Sequence, residues 1–209
     1  MAASEDKWYA WREALRFMRR NSFPSLHSRL VMGEGDPVNP RVMLIGEAPG
    51  AAEALQGRPF VGKSGVVLRD LMLLAGLCTK RGTGAWWDAH PELTVNAWLT
   101  NVVKFRPPGN RTPTDPEIRA FRRMLKTEWR MVGCPRIIVP IGGMALYAIT
   151  GKHFSIVRVS GYPLKYTGSH KLNMLVMPMI HPKYGIEHPA LQPRLERDWA
   201  GLGDAMASW

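Results

Sequence analysis

Residues 57–64, GRPFVGKS, satisfy the spacing G-x-x-x-x-G-K-[ST], in which backbone N–H groups and a lysine cradle the phosphates of a nucleotide. The chemistry such a motif would bring is phosphoryl transfer. Its surroundings argue against that reading. A phosphate cradle issues directly from a buried strand, whereas EALQG precedes this one and the nearest apolar run stops at Gly46. Pro59 removes one of the N–H donors on which a cradle depends, and no apolar run ends in an aspartate that would serve Mg²⁺. The surroundings of the motif therefore disfavour a phosphotransferase.

Other polar groups sit where apolar runs end. Residues 41–46, RVMLIG, stop at GEAPG, which carries Glu47. The run WLTNVV, residues 98–103, contains Asn101 and leads through Lys104 into the proline-rich loop RPPGNRTPTDP. NMLVMPMIHP, residues 173–182, ends in the pair His181 and Pro182. Each of these residues also has a plain structural use. A carboxylate after a strand caps helices, an asparagine satisfies loop backbone, a histidine before proline serves a turn, and Phe60 suits a core.

The elements that must hold these groups follow from periodicity. Apolar runs over residues 41–46, 98–103, 135–143 and 173–182 read as buried strands. Between them, residues 64–77 place Val67, Leu68, Leu71, Leu74 and Ala75 on one side of a helix. Thr114 and Glu117 have the spacing of a capping box, with Pro116 in the first turn. The helix they start turns Ile118, Phe121, Leu125 and Val132 inward and Arg119, Arg122, Arg123, Lys126 and Arg130 outward. A short helix is expected around MALYAITG, and an amphipathic one over residues 5–20, with Trp8, Trp11, Leu15 and Phe17 among Arg12, Arg16, Arg19 and Arg20. The stretch from Thr79 to Asn96 reads as a polar connection. Strands alternating with helices predict a parallel sheet covered on both faces, because parallel neighbours need crossover connections. The loops after the first, second and fourth strands then meet at the carboxyl edge, where open α/β sheets bind ligands.

At 209 residues and 45% hydrophobic content, the chain is expected to form one domain over residues 1–209, as a monomer. Its formal charge of +11 points to a polyanion as partner, nucleic acid first. Cys78 and Cys134 are its two cysteines and lack metal-ligand spacing, so no metal site or disulfide framework is expected and a reducing cytoplasm fits, the host's if the source is viral. No apolar run approaches the roughly 20 residues that span a bilayer, so no membrane partner is expected.

Taken in order, GEAPGAAEALQGRPFVGKSG, LTNVVKFRPPGNRTPTDPEI, IIVPIGG and IHPKY resemble the family 4 uracil-DNA glycosylases over about residues 20–185. The resemblance implies a three-layer α/β/α sandwich around a four-stranded, mainly parallel sheet. It also implies hydrolysis of the N-glycosidic bond of deoxyuridine in single- or double-stranded DNA. By the family pattern, Glu47 positions or activates water, and His181 stabilises charge on the departing base. Phe60 stacks on that base and Asn101 pairs with its polar edge, with Gly46 and Ala48 also against the substrate. Lys104, Arg106, Arg111 and Lys183 are expected to contact phosphates. The residue types suit the chemistry. An extruded base is held by stacking and edge recognition, and its departure leaves a cationic sugar and an anionic ring that a carboxylate and a donor stabilise. A lyase step is not expected, since no lysine is clearly placed to form a Schiff base. The competing reading is a protein of the same fold that binds or acts on a modified pyrimidine without turning over uracil.

Two departures stand out. Family members hold a [4Fe–4S] cluster with four cysteines, and those positions here fall at Arg20, Phe23, Phe105 and Phe121, so no such cluster and no other cofactor is expected. The three phenylalanines are expected to fill the space as an apolar plug. The family's His-Pro-Ser is His-Pro-Lys, with Tyr184, Gly185 and Ile186 in place of the apolar wedge. Gly50 puts no bulk where an aromatic in other uracil glycosylases excludes the thymine methyl group.

Overall fold

A computed structural model describes residues 3–26, 28–78, 96–167 and 173–208. In chain order the elements are α1 (Glu5–Ser22), β1 (Glu34–Gly35), β2 (Val42–Gly46), α2 (Ala51–Gln56), α3 (Lys63–Leu74), β3 (Ala97–Asn101), α4 (Asp115–Met131), β4 (Ile137–Pro140), α5 (Gly143–Thr150), α6 (Ile156–Val159), β5 (Leu164–Thr167), β6 (Asn173–Val176), α7 (Pro182–Glu187) and α8 (Gln192–Ala207). The connection expected between Thr79 and Asn96 lies, apart from Asn96, outside the described residues.

The sheet has six strands in the order β1-β3-β2-β4-β6-β5. Its centre is the expected parallel set, β3, β2, β4 and β6. The four-stranded expectation is corrected at both margins, where β1 pairs antiparallel with β3 and β5 antiparallel with β6. A two-residue strand and the mixed segment LKYT carry too little apolar periodicity to be read as strands.

Alternation along the central strands builds two cores. Val42 and Leu44 of β2, Leu99 of β3 and Val139 of β4 face α3 and α8, where they meet Leu68, Leu71, Trp199 and Leu202. Met43, Ile45, Trp98 and Ile138 face the other way, against α1, α4 and α5 through Leu15, Phe121, Leu125 and Leu146. Burial on both faces is why these strands read as continuous apolar runs. Helix α8, absent from the reading of the sequence, carries Leu195, Trp199, Leu202 and Met206 at helical spacing and buries all four. In α4 the capping box forms as expected, with Thr114 Oγ1 accepting from Glu117 N–H and Glu117 Oε2 from Thr114 N–H at 2.7 Å. Two helical expectations fail locally, because Phe17 and Leu74 point into solvent.

Register carries this architecture to the carboxyl edge. Gly46 and Asn101 are direct neighbours at the ends of β2 and β3. Ile141 donates to Ile45 O at 2.8 Å, and Gly142 donates to Met179 O at 2.8 Å, two residues before His181. The four parallel strands therefore end together, and their loops open onto one cleft.

Candidate active site

That cleft, of about 910 Å³, is lined by Glu47, Ala48, Pro49, Gly50, Phe60, Asn101, Arg111, Gly142, His181 and Lys183 among others. Glu47, Phe60, Asn101 and His181, read from separate segments of the sequence, thus share one space. Gly46 lies behind it. A Cβ built on Gly46 would come 2.3 Å from Asn101 Oδ1 and 3.0 Å from Phe60 Cζ, so a glycine is needed for the amide and the ring to lie over the strand end.

Phe60 is held in an unusual backbone conformation, φ 53°, a left-handed setting that costs a non-glycine residue about 1–3 kcal/mol. Its carbonyl lies where a Cβ on Gly65 would be, 1.7 Å from the built position, so only glycine at 65 permits this turn. The turn is also tied to the Glu47 loop by a residue that the sequence reading passed over. Glu53, on α2, accepts from Gly50 N–H at 3.1 Å and from Gly62 N–H at 3.0 Å. Its spacing from Gly50, three residues into a helix, was the available signal. The same bond resolves the phosphate-cradle motif. GRPFVGKS joins helix α2 to helix α3 rather than a strand to a helix, and the anion at Gly62 is the chain's own Glu53.

His181 caps α7. Its Nδ1 accepts from Lys183 N–H at 3.1 Å, and a ring nitrogen that accepts carries no proton, which puts the hydrogen of the neutral ring on Nε2. Burial, aided by the Lys183 charge and opposed by Glu53 and Glu187, lowers its pKa to about 4, so the ring is neutral near pH 7. Burial raises the Glu47 carboxyl above its ordinary value. A neutral donor and a partly desolvated carboxylate are suited to stabilise an anion and a cation that develop together.

The four expected phosphate contacts part company. Arg111 and Lys183 line the cleft. Arg111 also forks onto Glu117 at 2.7 and 2.8 Å, which fixes the loop ahead of α4 and holds the Glu117 carboxyl below its usual range. Arg106 is half-buried beside Asn110, to whose Oδ1 its Nε donates at 2.6 Å. Lys104 is a correction. It is 0% exposed, its Nζ bonded to Thr100 Oγ1 and Glu128 Oε2 and lying 5.6 Å from the Trp11 ring centroid. Glu128 also accepts from Trp98 Nε1 and Thr100 Oγ1, each at 3.0 Å, so a shared polar network offsets part of the desolvation of the buried pair. Lys104 is a core residue, out of reach of DNA.

The positions at which family members hold a cluster do not fit one here. Phe105 and Phe121 are buried with ring centroids 6.0 Å apart, Phe23 lies 6.0 Å from Phe121, and the Arg19 guanidinium sits 5.8 Å from the centre of the Phe105 ring. The expected aromatic plug is present in its geometry. The chain's two cysteines lie elsewhere, Cys78 buried in the α3 core and Cys134 exposed beyond α4.

The model of the uracil DNA glycosylase superfamily matches residues 32–201, which span the sheet, the cleft and most of α8. The chain belongs to that superfamily. Among its relatives, the type-4 uracil-DNA glycosylase of Thermotoga maritima is 35% identical over 158 residues, 75% of this chain and 71% of that protein. The type-4 enzyme of Sulfurisphaera tokodaii is 35% identical over 175 residues, 81% of this chain and 71% of that protein. That of Saccharolobus solfataricus is 32% identical over 184 residues, 85% of this chain and 76% of that protein. As a glycosylase of this superfamily, the chain keeps its cleft at the carboxyl edge of the parallel strands, the ligand position that open α/β sheets share. Among the described residues, no helix is long and apolar enough to cross a membrane.

Proposed function

We propose that this chain is a monofunctional DNA glycosylase that hydrolyses the N-glycosidic bond of deoxyuridine and leaves an abasic site. The observation that carries the reading is the convergence of Glu47, Phe60, Asn101 and His181 on one cleft in a member of this superfamily. A sugar bond within a base stack is out of reach, so the nucleotide is extruded at a cost of a few kcal/mol. The base then stacks on Phe60, and the Asn101 amide pairs with its polar edge. As the bond lengthens, the ring gains negative charge that the neutral His181 accommodates through Nε2–H. Glu47 orients water toward the cationic sugar carbon and takes its proton. Arg111, Arg106 and Lys183 hold the flanking phosphates. No step passes through an iron–sulfur cluster, since the four ligand positions offer an arginine and three phenylalanines and no thiolate.

One feature favours a wider substrate range. Gly50 lines the cleft without a side chain, and a Cβ there would meet Glu53 Oε2 at 2.8 Å. A 5-substituted pyrimidine therefore meets no bulk from this position.

The test is cleavage of end-labelled DNA carrying one deoxyuridine, single- and double-stranded, developed with alkali, for the wild type, Glu47→Gln and His181→Ala. A parallel substrate carries 5-hydroxymethyl-deoxyuridine. Uracil-dependent breaks that both variants lose support the reading. DNA binding without release of uracil would sink it in favour of a modified-base substrate or a binding role.

A further inference from the structure

The connection between α5 and α6 lines the same cleft through His153 and Phe154, and the first turn of α6 through Ile156 and Val157, and none of the roles above uses them. Phe154 is 38% exposed, whereas Phe60, Phe105 and Phe121 are buried, and it belongs to neither apolar core. A phenylalanine left partly in water at the wall of a binding cleft forgoes part of the stabilisation that full burial would return. His153 is exposed as well, and its ring lies flat on Tyr147 of α5, with centroids 4.1 Å apart and planes 9° apart. A ring backed on one face by another is held in a fixed plane. Exposed Lys152 and Arg158 stand on either side of this pair in the sequence KHFSIVR. Aromatic rings beside cations are the arrangement by which proteins hold unpaired nucleotides, since every base has a face that stacks and every linkage a negative charge. Tyr184, another exposed aromatic on the cleft, leans on His188 of its own segment at 4.2 Å between centroids.

We propose that His153 and Phe154 form a stacking platform for a base next to the extruded uracil on the same strand, with Lys152 and Arg158 on its phosphates. The inference rests on the reading of the cleft as a uracil site and adds a subsite to it. Extruding one nucleotide strips its neighbour of a stacking partner, and the platform replaces that partner on the protein side.

The experiment uses single-stranded oligonucleotides with one deoxyuridine whose 5′ or 3′ neighbour is either a normal nucleotide or a baseless tetrahydrofuran residue. Cleavage kinetics are measured for the wild type, Phe154→Ala, His153→Ala and Phe154→Trp. For the wild type, removing the base on one side lowers kcat/KM by on the order of tenfold, mainly through KM. Phe154→Ala shows a similar loss on the intact substrate and no longer responds to the missing base, and Phe154→Trp keeps the response. Equal sensitivity of Phe154→Ala and the wild type to the missing base overturns the platform, as does undiminished cleavage by Phe154→Ala. A wild type that leaves every uracil substrate uncut overturns the uracil reading, and the platform with it.

Discussion

His181 commits one nitrogen to the backbone of its own helix, and that single bond decides what the other can do. With Nδ1 accepting from Lys183 N–H, the neutral ring presents Nε2–H, and its pKa of about 4 keeps it in that form through the neutral range. Glu47 is shifted the other way, above its ordinary value, by burial. As pH falls, the carboxylate is protonated before His181 gains its charge, so the acid limb of kcat/KM belongs to Glu47. Measured from pH 4 to 8, that limb is expected to fall above the usual glutamate range and to vanish in whatever activity Glu47→Gln retains. His181→Ala is expected to cost about 10²–10³ in kcat, the scale of one lost donor to a developing anion. Gly46→Ala is expected to remove activity as well, since its methyl group would fall 2.3 Å from Asn101 Oδ1, and a crystal structure of the variant would show the amide displaced. These residues were legible because each closes an apolar run or lies in a Gly- and Pro-marked turn. Lys104 was misread for the same reason, since a lysine just past a strand looks like surface. Its partner Glu128 is 24 residues away, and no local pattern links the two.

At the scale of elements, the parallel strands and the helices α1, α3, α4 and α5 were readable because burial on one or both faces imposes a period. Helix α7 was not, because six residues around Pro182 and Gly185 look like a turn and their helical state depends on the His181 cap. The Lys104–Glu128 pair joins β3's end to α4 across the core, with both side chains fully buried. Lys104→Met is therefore expected to destabilise the fold by about 3–5 kcal/mol in urea titration, because it strands the Glu128 charge. A variant that bound DNA more weakly with unchanged stability would restore the surface assignment. Phe105→Ala, which opens a hole between Phe121 and Arg19, is expected to cost about 3–5 kcal/mol in the same titration.

The molecule as a whole carries a formal charge of +11, and a DNA complex releases counterions in proportion to the phosphates it neutralises. The logarithm of the binding constant for uracil-free DNA is thus expected to fall linearly with log salt. Lys183→Ala is expected to lower the slope by about 1, whereas Lys104→Met leaves it unchanged. This contrast separates the cations that face the cleft from one that the composition counts but the core consumes. The charge balance was legible without a structure. Which residues deliver it was not, because the sum is blind to burial.

Glu53 gives the site a mechanical property. One carboxylate receives N–H groups from Gly50, on the loop that carries Glu47, and from Gly62, just past Phe60. Charge-assisted bonds of this kind contribute about 1.5–3 kcal/mol each, enough to make the two loops a single strut. A base that fits badly against Phe60 then pushes, through that strut, on the loop meant to aim the water. Seating the right ring and arming the reaction become one event, with the misfit penalised in rate as well as in grip.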